Sequence, residues 1–186
     1  MKFFVFVTSM MLSLSLFAAE TVKNIDAATS SLEWTGTKIV GKHNGHLKFK
    51  SGTLKFNGEK FIGGEFVVDM TTLTNDDLTG EMNAKLVGHL KSPDFFDIEK
   101  FKESTLKVTE VKAKGKNLYA VKADLTIKGK TAPVSFDAKF EKSKATTELS
   151  YDRTVYDVRY GSGKFFENLG DKVIHDKIDL KVELHY

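Results

Sequence analysis

Alternation of apolar and polar positions dominates the chain after its first twenty residues. Ile178, Leu180, Val182, Leu184 and Tyr186 alternate with Lys177, Asp179, Lys181, Glu183 and His185. A period of two with one apolar and one wet face marks a half-buried β-strand. Tyr119, Val121, Ala123, Leu125 and Ile127 repeat the pattern. So do Val134, Phe136, Ala138 and Phe140, and Ile62, Phe66, Val68 and Met70 around Gly64. Shorter runs pass through Leu32 and Trp34, Leu47 and Phe49, Leu54 and Phe56, Leu106 and Val108, and Leu149 and Tyr151. Between Val108 and Val111 the parity slips by one, which predicts a β-bulge. Ser51-Gly52, Asn57-Gly58, Gly115 and Lys128-Gly129-Lys130 read as turns dividing these runs. Pro133 is expected at a strand start, where a missing N–H costs least. The pattern gives eight or nine strands on short turns, hence antiparallel pairing.

One segment changes period. Leu78, Met82, Leu86 and Leu90 recur every four residues, which predicts a helix over about 75–91. Thr74 or Asn75 is its expected cap, Asp76 and Asp77 suit its positive end, and Ser92-Pro93 stops it. A second short helix or turn is expected over 94–101. Residues 161–171 hold three glycines and read as a loop, with Phe165 and Phe166 as apolar anchors. An open sheet of eight half-buried strands would leave two edges to manage, and closure removes them. An eight-stranded barrel is either filled or holds one small ligand. Pattern alone therefore gives an antiparallel β-barrel or sandwich, with one helix between strands four and five.

Residues 1–19 read differently. Lys2 is the only charge before Glu20, an apolar run follows, and Ala18-Ala19 ends it. That is the pattern of a secretory signal peptide, which leaves 20–186 as one exported domain, periplasmic or secreted. The whole chain has 186 residues, 41% hydrophobic and 28% charged, enough for a core and too apolar for a disordered chain. The absence of cysteine excludes thiol nucleophiles, disulfides and thiolate zinc sites. With 28 basic against 25 acidic residues and no basic cluster, nucleic acid is not an expected partner.

The residues offer little catalytic chemistry. His43 and His46 flank Asn44-Gly45, a turn signal, whereas zinc needs three or four converging ligands, so no metal is expected. Gly161-Ser162-Gly163 lacks the strand-to-helix elbow of a hydrolase serine, and no glycine pattern fits a dinucleotide loop. No catalytic residue and no cofactor follow. Only Arg153 and Arg159 break a lysine-dominated cation set, and both lie in YDRTVYDVRY, residues 151–160. Two readings stay open for them. One arginine grips an anionic head group, or Arg153 or Arg159 pairs with Asp152, Asp157 or another carboxylate and stitches the barrel. The phenylalanines are equally ambiguous: they fill a core, or they line an apolar tube.

The stretch GHLKSPDFFDIEKF, residues 88–101, resembles the YceI-like family of exported lipocalin-like proteins. Residues 34–54, 63–73, 123–136 and 151–180 are similar to further segments of that family, in order. Lys102 stands where the family commonly has proline, and Asp157 where it commonly has glycine. The resemblance implies an all-β fold, an antiparallel eight-stranded lipocalin-like barrel holding a long isoprenoid or similar lipid. It implies a carrier rather than an enzyme, links to isoprenoid quinones and to acid or osmotic stress, and a homodimer as a known form. On this chain the tube would be lined by Phe49, Phe56, Phe66, Val68, Leu86, Phe95, Val121, Leu125, Phe136, Phe140 and Tyr156. Lys42, His43, Arg153 and Arg159 would be the head-group candidates. Two competing expectations remain: a filled barrel acting through its lysine-rich surface, and a lipid hydrolase or isomerase using His89 or His43.

Overall fold

A computed structural model describes residues 19–186, so the expected leader lies outside the described residues apart from Ala19. The elements are β1 (Glu20–Asn24), β2 (Ser31–Lys38), β3 (Lys42–Asn57), β4 (Lys60–Asp69), α1 (Gly80–Lys91), β5 (Glu103–Gly115), β6 (Leu118–Ile127), β7 (Lys130–Phe140), β8 (Lys144–Asp152) and β9 (Ile174–His185). All strand pairings are antiparallel. The sheet runs β3-β2-β9-β8-β7-β6-β5-β4, and β3 also pairs with β4. That extra pairing closes an eight-stranded barrel, which removes the edges an open sheet would expose. The ninth strand, β1, is laid on residues 53–57 of β3 and is exposed throughout. It carries no alternation, which is why the apolar pattern does not announce it.

Strand β3 corrects one expectation. It runs unbroken through Ser51-Gly52, with a register shift between Phe49 and Ser51 in place of a turn. A Cβ at Gly52 would lie 2.6 Å from the Phe66 ring, so the glycine permits close packing inside a strand. The expected bulge in β5 is present as a register shift between Val108 and Glu110. In β4 the parity differs from the expected one. Phe61 is buried and Ile62 is exposed, because the register shifts between Lys55 and Phe56 across the hairpin. Pro133 lies inside β7 rather than at its start. There β8 pairs only with Ala138–Phe140, so no ladder bond to β8 is lost at the proline.

The helix begins later than its leucine period predicts, at Gly80 after the N-cap Thr79, which makes no side-chain capping bond. Asn75, Asp76 and Asp77 are engaged elsewhere. Short polar side chains compete with helix formation by bonding nearby backbone, and here they bond across to β3. Asp77 accepts from the Asn44 N–H at 3.0 Å and pairs with His43 Nδ1 at 2.7 Å, while Asp76 pairs with His46 Nδ1 at 2.5 Å. Gly45 lets this connection lie on β3: a Cβ there would sit 2.0 Å from the Thr74 carbonyl oxygen. Of the leucine-spaced stripe only Leu90 is buried, and Met82 is 62% exposed. Residues 94–101 form turns, not a second helix.

Candidate functional site

Inward side chains of the closed sheet enclose two apolar chambers. The upper one, beneath α1, has a volume of about 270 Å³. Its wall includes Trp34, Leu47, Met70, Leu73, Leu86, Leu90, Phe95, Phe96, Ile127, Tyr151 and Ile178. The lower one, about 90 Å³, is lined by Phe49, Leu54, Phe61, Phe66, Leu106, Val121, Phe136, Phe140 and Leu184 among others. Leu32, Val68, Leu125 and Leu180 border both and form a collar between them. Ligand pockets commonly span ~300–1,000 Å³. A long chain therefore has to thread the collar or leave through the mouth.

Nine of the eleven expected tube residues border the chambers. Leu86 and Phe95 line the upper chamber, and Phe49, Phe66, Val121, Phe136 and Phe140 line the lower one. Val68 and Leu125 belong to the collar. Phe56 and Tyr156 border neither chamber. Phe56 lies in an aromatic floor beyond the lower chamber, 6.0 Å from the Phe61 and Phe140 rings. Tyr156 is buried against Tyr151, and burial holds its phenol up at about 12.

The head-group candidates separate as well. His43 borders the upper chamber, with its ring held by Asp77. Burial raises the Asp77 carboxyl, but hydrogen bonds from the Asn44 N–H, His43 and Asn75 outweigh it and hold the group at about 2. Lys42 is exposed at the start of β3, outside the chamber wall. Arg159 pairs with Asp157 at 2.7 Å and lies over the Phe165 ring at 4.7 Å. Arg153 is fully buried, and its donors are engaged by backbone. Nε donates to the His175 carbonyl, one terminal nitrogen to Val158 and the other to Ile174, at 3.1, 2.8 and 3.0 Å. Asp176 is 3.5 Å away. Burial lowers the Arg153 pKa, and the Asp176 charge opposes that shift. Arg159 is thus paired with a carboxylate, and Arg153 is held mainly by carbonyl oxygens.

The geometry around Arg153 explains the Asp157 departure. Arg153–Tyr156 form a short 3-10 turn, and Asp157 ends it with φ +63° in the left-handed region. Glycine adopts that conformation without cost, and aspartate is among the few other residues that tolerate it. The turn buries Arg153, Tyr156 and Val158 together, and leaves Tyr160 47% exposed.

Polar residues outside the head-group candidates also border the chamber: Thr37, Lys38, His89 and Ser104. Four buried side-chain polar atoms lack a hydrogen-bond partner among the described residues. Two of them, His89 Nε2 and Ser104 Oγ, belong to residues of the upper chamber wall. Buried polar atoms are satisfied in the large majority of cases, so each exception calls for an explanation. Ser104 shares the inward parity of Leu106 and Val108, and His89 sits in the GHLKS segment, so their positions were readable. That they have no internal partner was not. No group of three or more His, Asp or Glu side chains that would hold a metal is present among the described residues.

Comparison with known proteins gives a consistent result. The YceI-like domain matches residues 24–186. A UPF0312 protein of Vibrio cholerae is 34% identical over 104 residues, 53% of this chain and 53% of that protein. A UPF0312 protein of Vibrio parahaemolyticus is 30% identical over 135 residues, 71% of this chain and 68% of the relative. The aligned part thus spans about half the length of the Vibrio cholerae relative. Among solved structures, Burkholderia cenocepacia BcnA shares the fold with a TM-score of 0.70 at 22% identity, over 86% of this chain and 98% of that one. A polyisoprenoid binding domain from Saccharophagus degradans shares it at 0.58 and 13%, over 90% and 97%. Sequence match, closed barrel and inserted helix agree, and the chain belongs to the YceI-like domain family.

Proposed function

We propose that this protein is an exported carrier that holds one long-chain isoprenoid, with an uncharged polar end, inside its barrel. The observation that carries the reading is the pair of apolar chambers sharing one collar, with His89 Nε2 and Ser104 Oγ buried without a partner in the wall of the upper one. The tail is held by burial, at roughly 0.8 kcal/mol per CH₂. The polar end, a carbonyl or hydroxyl oxygen, answers the serine hydroxyl and the imidazole, whose unmade hydrogen bonds otherwise cost stability. The two arginines are not free to hold an anionic end, because Arg153 is committed to backbone carbonyls and Arg159 to Asp157. No hydrogen bond joins Ser104 to His89, so neither activates the other as a nucleophile would require. Export rests on the leader pattern of residues 1–19, and the polyisoprenoid class is supported by the Saccharophagus neighbour's name.

The test is denaturing extraction and mass spectrometry of the full-length gene product purified from a cell envelope. A stoichiometric prenyl lipid is expected, and lipid-free protein would overturn the carrier reading. Trp34, the single tryptophan, lines the upper chamber and reports occupancy by its fluorescence. Ser104→Ala should weaken binding of a prenyl alcohol or prenylquinone about tenfold, the worth of one hydrogen bond of ~1.4 kcal/mol. It should leave a chain-matched hydrocarbon unaffected. Equal losses for both ligands would remove Ser104 from polar-end recognition.

A further inference from the structure

The mouth of the upper chamber carries exposed apolar side chains that do not line the cavity. Ile39 and Val40, at the tip of the β2–β3 turn, are 58% and 70% exposed. Phe165 and Phe166, in the loop before β9, are 45% and 48% exposed. They are neighbours in space through one short segment. The Ile39 N–H donates to the Val173 carbonyl, and Lys38 pairs with Ile174. The Ile174 N–H in turn donates to Gly161, and the Phe165 and Phe166 N–H groups both donate to Ser162. Gly36, Thr37, Lys38 and Ile174 also border the chamber. Backbone pairing thus connects both segments to the chamber wall at Ile174.

A rim of exposed apolar tips on a carrier's mouth marks an interaction surface rather than ordinary surface scatter. Its charge selects the partner. Lys38, Lys42 and Lys172 flank these tips and make no ion pair among the described residues, whereas Lys164, beside Phe165, is held by Asp152 and Asp176. Glu167 and Asp171 are the acidic residues of the loop, while Lys38 and Lys42 bracket the Ile39-Val40 tip with no acid between them. Apolar tips with flanking lysines fit the interface of an anionic bilayer, where the tips enter the acyl boundary and the ammonium groups meet lipid phosphates.

We infer that this rim is a membrane-docking surface, which seats the open end of the barrel on an anionic lipid surface so that an apolar chain passes between bilayer and chamber without crossing water. The passage of the chain rests on the carrier reading; the docking does not. The probes are vesicles of phosphatidylcholine alone and of phosphatidylcholine with phosphatidylglycerol. The protein as purified from the cell envelope should sediment with the anionic vesicles, and salt should weaken that binding by screening the lysines. Val40→Asp combined with Phe166→Asp should reduce the bound fraction about tenfold or more, through lost burial and added repulsion. Melting should stay at the wild-type temperature, because both side chains are exposed. Phe136→Trp, which alters only the lower chamber, should bind vesicles as the wild type does. Protein that carries no lipid yet still docks would therefore break the carrier reading and leave the docking surface standing. Absence of binding to anionic vesicles, or equal binding by the double variant, overturns the inference. A dimer that forms with concentration and is dissolved by the same double variant would assign the rim to a second copy, and would overturn it as well.

Discussion

The two ends of the barrel are made from the same alternating strands, yet one is plugged and the other is hollow. At the closed end Phe61 and Phe140 stack at 4.4 Å, with Tyr119 at 5.5 Å from Phe140 and Phe56 at 6.0 Å. Tyr186 covers Phe56 at 5.7 Å, and the Lys23 ammonium lies 4.9 Å over the Tyr186 ring. At the open end the wall is mainly aliphatic, α1 lies across the strands with only Leu90 buried, and about 270 Å³ is left. Aromatic side chains bury 150–250 Å² each and interlock edge to face, so several of them on converging strands fill a barrel's cross-section. Where they thin out, one helix bridges the opening without filling it. The direction of the tube follows from this asymmetry.

The largest expected effect is at the plug. Phe140 touches Phe56, Phe61 and Tyr119, so Phe140→Ala should cost about 3–5 kcal/mol in a denaturant melt. Because the lower chamber would also deepen, the co-purified chain should lengthen. A loss below about 1 kcal/mol would mean that the floor is not a packed unit. A smaller change acts between the two ends. Phe136→Trp adds volume to the lower chamber wall, and the 90 Å³ void should absorb it for less than about 1.5 kcal/mol. The accepted chain should shorten, as read by mass spectrometry of the bound lipid. An unchanged length distribution would show that the lower chamber is not part of the tube.

The smallest effect concerns how the open end is held. Asp77 ties the connection before α1 to β3, with its carboxyl near 2 against ~3.9 for an unfolded aspartate. A depressed carboxylate contributes stability above the unfolded value, and loses it as pH falls through the folded one. Melting temperatures of the wild type and Asp77→Asn should therefore differ at neutral pH and converge between about pH 4 and pH 2. The difference should stay below about 1 kcal/mol for a partly exposed group. A gap that persists unchanged to pH 2 would mean that Asp77 works by shape and not by charge.

The strand content was legible because side-chain direction in a strand repeats every two residues, a local rule that needs no partner. The β5 bulge was legible for the same reason, since a parity slip is itself local. Phe61 escaped that rule. Its inward orientation follows from a register shift against β3 across the hairpin, and the alternation around Gly64 points to Ile62 instead. Asp76 and Asp77 carry the composition of a helix start, but their partners His46 and His43 lie 30 and 34 residues away. Arg153 was readable as important and unreadable in role, because the carbonyls it serves come from residues up to 22 positions later.

By itself, then, the sequence determined the class of the protein: alternating strands, one helix in the fourth connection, and a family resemblance in GHLKSPDFFDIEKF. These depend on local periodicity and on residue identity. Only the tertiary structure decided which end of the barrel is hollow, which side chains border the void, and which polar atoms there go unanswered. Closure of the sheet brings residues distant in the chain to one cross-section. Whether that section is filled depends on the summed volume and direction of side chains from eight strands, which no single stretch of sequence contains.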